Sequence, residues 1–228
     1  MQRFKVMILA GMAVLVLGAT MAASAYAGVE ALNVIGEPTS ATFKGESAEK
    51  TTLSILGNTL EVLCAKTKSE GSLETGGKLG TFHIAFEGCD TSVGGTCTGL
   101  GDAAGTILAL GTLHLATNTA LTLGYVLFLT EHLHFSCTVL GITKLFLVLG
   151  EYLCEVTPIN TLTGTLTGRC KKGAEKGDPS VTSYVNDKGE AATLTNALQS
   201  SEGDTTETMT ALEGEGEVTV TPSVKLDV

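Results

Sequence analysis

The chain has 228 residues and a formal net charge of −10, with 24 acidic side chains against 14 basic ones. That balance opposes binding to nucleic acid, whose phosphates need a basic surface, and adhesion to anionic lipid. The absence of Trp and a total of four Tyr oppose a membrane barrel, which places aromatic girdles at two levels.

Residues 1–27 have the form of a secretory signal. Arg3 and Lys5 begin it, Val6 to Leu17 form its apolar core, and Ala25 and Ala27 put small side chains at the positions a signal peptidase reads. Cleavage after Ala27 would leave 201 residues with 12 basic and 24 acidic groups, a formal charge of −12. That length suits a single secreted β-domain, residues 28–228, with a possible internal boundary near 170–179. The mature chain holds no segment of the length and hydrophobicity that spans a membrane as a helix.

The order of the residues speaks for strands. Ala41 to Gly45 reads as a first short strand. Thr51 to Leu56 and Thr59 to Ala65 flank Gly57-Asn58, a hairpin signal. Thr67 to Gly80 is polar and rich in glycine, so it reads as loop or edge. Thr81 to Glu87 alternates cleanly, with Phe82, Ile84 and Phe86 on one face. Gly105 to Thr117 is apolar on both faces, which implies cover on both sides over part of its length. Leu121 to Val156 is the most apolar stretch of the mature chain. Its glycines divide it into Leu121–Thr130, Glu131–Thr138, Ile142–Leu149 and Glu151–Val156, with Leu147 assigned to the core. Thr157-Pro158-Ile159-Asn160 reads as a turn and Thr161 to Thr167 as a further strand. Val181–Val185 and Ala191–Leu198 pair across Asn186 to Gly189. Glu207–Leu212 and Glu217–Val220 pair across Glu213 to Gly216, and Val224 to Val228 forms a closing strand. About a dozen short strands without helical periodicity predict an all-β fold, an antiparallel β-sandwich or flattened barrel.

Six cysteines follow the signal: Cys64, Cys89, Cys97, Cys137, Cys154 and Cys170. An even number in an exported chain reads as disulfides, and the absence of C-x-x-C pairs argues against zinc. The preferred pairing is Cys89–Cys97, Cys64–Cys137 and Cys154–Cys170.

His132 and His134 are two apart and would share one face of a strand. Such a pair is half of a zinc or copper site, with His83, His114 or Glu131 to complete it. A polar outer face explains the pair without metal, and that reading is preferred. Ser136 lies on the same parity as His134, but no nucleophile elbow surrounds it. Asp178, Asn186, Asp187 and Glu190 sit in polar turns that could hold calcium, although turn chemistry alone accounts for them. Glu202 to Glu217 reads as charged edge strand, which discourages sheet-to-sheet association, or as an ionic contact with a cell-wall or matrix component. No glycine loop of a phosphate or dinucleotide site is present, so no cofactor is expected.

Cys64 after a strand, Gly88-Cys89 ending the next, Cys97 and then Gly105-Thr106-Ile107 form one pattern. With Phe135-Ser136-Cys137 and Thr157-Pro158-Ile159-Asn160, it resembles a group of small exported β-rich proteins of actinobacteria. The resemblance implies a secreted β-domain and no catalytic activity; Cys154 and Cys170 are additions to its pattern. The sequence thus leads first to a non-enzymatic extracellular β-domain with a structural, surface or binding role. A polysaccharide hydrolase or lyase is the alternative if two carboxylates converge in a cleft. A carrier of a small apolar ligand is the alternative if the sheet closes round an apolar cavity.

Overall fold

The structure is a computed structural model. It describes residues 33–35, 40–47, 49–57, 59–74, 79–118, 120–171, 181, 183–186, 188, 190–195, 198–203 and 208–227. Residues 1–27, read above as a signal, lie outside the described residues, as does most of the possible boundary near 170–179.

Among the described residues the elements are fourteen strands: β1 (Asn33–Ile35), β2 (Ser40–Ser47), β3 (Thr51–Ile55), β4 (Leu60–Glu74), β5 (Leu79–Thr91), β6 (Cys97–Gly99), β7 (Thr106–Thr117), β8 (Gly124–Val139), β9 (Ile142–Thr157), β10 (Leu162–Cys170), β11 (Ser183–Val185), β12 (Ala191–Thr193), β13 (Leu198–Glu202) and β14 (Thr208–Asp227). Eight of them close into a barrel. β2, β4, β5, β7, β8, β9, β10 and β14 each pair antiparallel with the next, and β14 returns to β2. The closing register sets Val220 against Phe43. Closure leaves no free edge along the ring, which answers the edge problem that an open sheet carries. Of the two architectures expected, the barrel is the one that forms.

The shorter strands patch the ends of this ring. Beyond Ser47, β3 takes the place of β2 between β4 and β14. Beyond Cys170, β13 fills the space between β9 and β14. β6 adds to β8, and β1 adds to the last residues of β14. The β11–β12 hairpin lies outside the barrel. Its Tyr184, with Val181, covers Ala116, Tyr125, Leu127 and Leu153. This cover is why β7 and β8 are apolar on both faces: one face looks into the barrel and the other is roofed by the hairpin.

Several sequence expectations are corrected here. The four segments of Leu121 to Val156 are two long strands, β8 and β9. Gly150 stays in the ladder opposite Thr130, and the real break in β8 is an irregularity between Thr130 and Leu133. That bulge shifts the alternation. Val126, Phe128 and Thr130 face inward before it, and Leu133, Phe135 and Cys137 do so after it. On β9 the inward residues are Phe146 and Val148, both 1% exposed, so Leu147 is an outer, half-buried residue rather than core. The stretch read as loop or edge is strand in its described part, since β4 runs to Glu74 between β2 and β5, and β5 starts at Leu79. Glu213 to Gly216 is not a turn either; β14 passes straight through it to Asp227. The Gly57 and Thr157–Asn160 turns form where expected. Leu56 and Gly57 both have positive φ (53° and 65°) between β3 and β4, and Asn160 has φ 59° between β9 and β10. Asn58 lies outside the described residues.

The disulfides differ from the expected set in two of three bonds. Cys64 bonds to Cys89 and Cys97 to Cys137, in place of Cys89–Cys97 and Cys64–Cys137; the third bond is Cys154–Cys170. Cys64 and Cys89 are register partners on β4 and β5, and Cys97 and Cys137 are register partners on β6 and β8. Side chains directly opposite on one sheet face already lie at bonding distance, so the ladder decides the pairing and proximity in sequence does not. Cys154 and Cys170 continue the β9–β10 register beyond Glu155 and Arg169. Each bridge therefore clamps two neighbouring strands of the wall.

Candidate functional site

The barrel is not filled. A cavity of about 210 Å³ runs inside it, lined on one side by Phe43, Phe82, Phe86 and Phe128 with Ile84, Leu113 and Val126, and on the other by Leu166, Gly168, Gly214, Gly216 and Val218. Almost all of its wall is carbon. Eight strands give an interior that side chains can just fill, or that holds one small ligand when they do not.

The void follows from how large and bare residues are placed. Phe43 is the register partner of Gly71, Gly71 of Phe82, and Phe82 of Gly111, so phenylalanine and glycine alternate across four strands at one level. Each ring lies over the neighbouring glycine. A Cβ on Gly71 would come within 2.5 Å of Phe43 Cζ, and one on Gly111 within 2.9 Å of Phe82 Cε1. Glycine in a strand often marks such a close approach. Phe82 then meets Phe128 edge-on at 5.1 Å between ring centres, a favourable geometry for aromatic pairs. The rings are thereby held against their own wall. Opposite them the wall is bare: a Cβ on Gly168 would meet nothing within 4 Å.

Polar side chains of the lining spend their hydrogen bonds within the wall. Thr51 Oγ1 and Thr67 Oγ1 are 2.8 Å apart, Ser47 Oγ donates to the Glu215 carbonyl at 2.6 Å, and Thr130 Oγ1 donates to the Gly150 carbonyl at 3.2 Å. The Tyr152 hydroxyl donates to the carbonyls of Leu212 and Lys171, closing the gap between the end of β10 and the start of β13.

Charge is kept to the outside. Lys44 meets Glu70 at 3.2 Å, Lys68 meets Glu87 at 2.8 Å, and Lys171 meets Glu155 at 3.0 Å. The hydrogen bond from Lys68, more than its charge, holds the Glu87 carboxyl below its usual range, and the one from Lys44 does the same for Glu70. An apolar lumen inside a wall with charged outer strands is the reverse of a membrane pore, which is apolar outside. Among the described residues no helix is long and apolar enough to cross a membrane.

The histidines are scattered. His134 lies on the outer face, opposite in orientation to buried Leu133 and Phe135, while the side chain of His132 lies outside the described residues. The bulge between Thr130 and Leu133 breaks the regular alternation of β8 on which that expectation rested. His83 sits on the barrel exterior with Nδ1 3.5 Å from Glu70. His114 is buried, donates from Nδ1 to the Val185 carbonyl at 2.9 Å, and packs on the Tyr184 ring, so it anchors the outer hairpin. It pairs with Leu127, seven positions from His134 along β8, roughly 23 Å away at strand rise. The described residues contain no group of three or more His, Cys, Asp or Glu side chains placed to share a metal.

Ser136 stands between Thr98 and Leu145 in the ladder. Asn186 Oδ1 accepts from the backbone of Lys188 and Glu190 at 3.0 and 2.9 Å, so turn formation uses this oxygen; Asp178 and Asp187 lie outside the described residues. In the acidic stretch, Glu202 pairs with Lys144 at 2.7 Å and Glu215 with Arg169 at 3.3 Å.

The sequence raised an apolar cavity only as the condition for a carrier and did not place its lining. Its signal is the phenylalanine–glycine alternation between neighbouring strands, which shows only once the registers are known. No protein-family model matches the chain, and neither the curated proteins nor the solved structures include a match to it.

Proposed function

We propose that the protein is a non-enzymatic extracellular binder that carries one small apolar molecule in the barrel lumen. The observation that carries this reading is the hollow, carbon-walled interior facing the bare Gly168. A cavity of about 150 Å³ holds benzene, so the lumen suits a compact molecule of roughly eight to ten carbon atoms. The concavity is walled by aromatic and aliphatic side chains rather than by converging carboxylates, which favours binding over hydrolysis. Three disulfides fit an oxidising compartment, and with the signal-like residues 1–27 they support export and cleavage after Ala27.

Octanol is a suitable first ligand. Burying its chain is worth about 0.8 kcal/mol per methylene before association costs, which leads us to expect saturable one-to-one binding at about 10–100 μM by calorimetry. Gly168→Leu places a side chain in the empty space without backbone strain. It should abolish binding and leave the melting temperature equal or higher. Octanol binding unchanged in Gly168→Leu would place the site elsewhere.

A further inference from the structure

We propose that the ligand carries a single neutral oxygen, as in a compact alcohol or ketone, and that Ser69 fixes this oxygen by a hydrogen bond. This rests on the reading of the lumen as the binding cavity and adds the chemical class of the ligand. The other hydroxyls that line the lumen are spent on the wall itself. Thr51 and Thr67 bond to each other, Ser47 and Thr130 donate to the carbonyls of Glu215 and Gly150, and Tyr152 donates to those of Lys171 and Leu212. Ser69 is the exception. It is a half-buried lining residue, and its Oγ has no hydrogen-bond partner among the described residues.

The registers explain why this hydroxyl is bare. Ser69 on β4 stands between Gly45 on β2 and Ile84 on β5. Glycine puts no side chain over it, and isoleucine offers it carbon alone. The row that joins Ser69 to Gly45 continues through Val218 on β14 to Leu166 on β10, and Gly168 is the next inward position on β10. The hydroxyl and the bare wall thus share one stretch of the lumen. A hydroxyl left unpaired in a carbon-walled space is unfavourable. An ordered water needs about two to four polar partners, and the other hydroxyls are already taken. A ligand oxygen supplies the missing partner: Ser69 donates to a ketone, or donates to or accepts from an alcohol. A hydrocarbon leaves Ser69 unpaired, and a second polar group on the ligand would find nothing to bond. An ion fares worse. Glu46, Glu155, Glu215 and Glu217 alternate with lumen-facing neighbours and stand on the outer face, so they give it no counter-charge inside.

The test compares octanol, 2-octanone and ethylbenzene on the full chain and on Ser69→Ala, by calorimetry at neutral pH. Ser69→Ala removes a hydroxyl that bonds to nothing in the wall, so its melting temperature should be equal to the parent's or higher. Octanol and 2-octanone should each bind it about tenfold more weakly than they bind the parent, while ethylbenzene stays within about twofold. Comparing each compound with itself across the substitution cancels the different costs of taking the three out of water. Octanoate, ionised at this pH, should bind the parent about a hundredfold or more weaker than octanol. Equal changes for all three neutral compounds in Ser69→Ala, or no change in any, overturn the proposal, as does octanoate binding as tightly as octanol. A parent that binds ethylbenzene but neither oxygenated compound also overturns it and leaves the cavity reading standing. Failure of every compound to bind the parent is a different result: it removes the cavity reading, and this proposal with it.

Discussion

Full reduction of the three disulfides should unfold the barrel at room temperature. The bonds close sequence separations of 25, 40 and 16 residues. By loop-closure entropy these constrain the unfolded chain by about 3.5, 3.9 and 3.1 kcal/mol. Their combined effect is comparable with the whole stability of an ordinary domain, about 5–15 kcal/mol. This barrel is also hollow, so it lacks part of the interior packing that a filled core would supply. Amide dispersion in the NMR spectrum should collapse on adding a strong thiol. Removing one bridge alone, as in Cys154→Ala/Cys170→Ala, should lower the melting temperature by about 6–12 °C. Retention of the parent's melting temperature after complete reduction would show that the bridges are incidental to the fold.

Val148→Asp should prevent folding, whereas Leu147→Asp should leave a folded protein. Val148 is 1% exposed, faces inward, and lies between Leu133 and Ser200 in the ladder. A carboxylate there is buried without a partner, at a cost of several kcal/mol in either protonation state. Leu147 points to the outer face between His134 and Ser201 and keeps contact with solvent. Its replacement should cost about 1 kcal/mol. The yield of folded protein and the thermal melting of the two variants decide the point. Equal damage from both, or greater damage from Leu147→Asp, would mean that β9 has the opposite face inward.

That pair of neighbours shows where the sequence was legible and where it was not. Local signals did well. The alternation of Phe82, Ile84 and Phe86 and the turns at Gly57 and Thr157–Asn160 follow from backbone chemistry within a few residues, which a single segment carries. Parity along β8 was not local. A bulge between Thr130 and Leu133 moves every later side chain of β8 to the other face, and nothing in the neighbouring residue types marks it. Gly214 and Gly216 resemble turn residues, yet in β14 they are lumen-facing positions kept bare. Ser69 and Gly71 made β4 look like a loop: Ser69 faces the cavity and Gly71 lies under the Phe43 ring, at positions where a packed sheet would show Leu or Val. The Cys64–Cys89 bond was within reach. The two cysteines lie nine residues before Leu73 and nine after Gly80, which are register partners near the facing ends of β4 and β5. Reading residues 67–80 as loop or edge hid that symmetry.

An empty, apolar interior is what separates this barrel from an ordinary packed one, and xenon reports on it without any assumption about the natural ligand. Crystals held under xenon pressure should show the gas between the Phe82–Phe128 pair and Gly168, since dry apolar cavities of this size take it up. The same crystals of Gly168→Leu should show none there. An interior of the parent filled by its own side chains, with no xenon inside the ring of strands, would contradict the account.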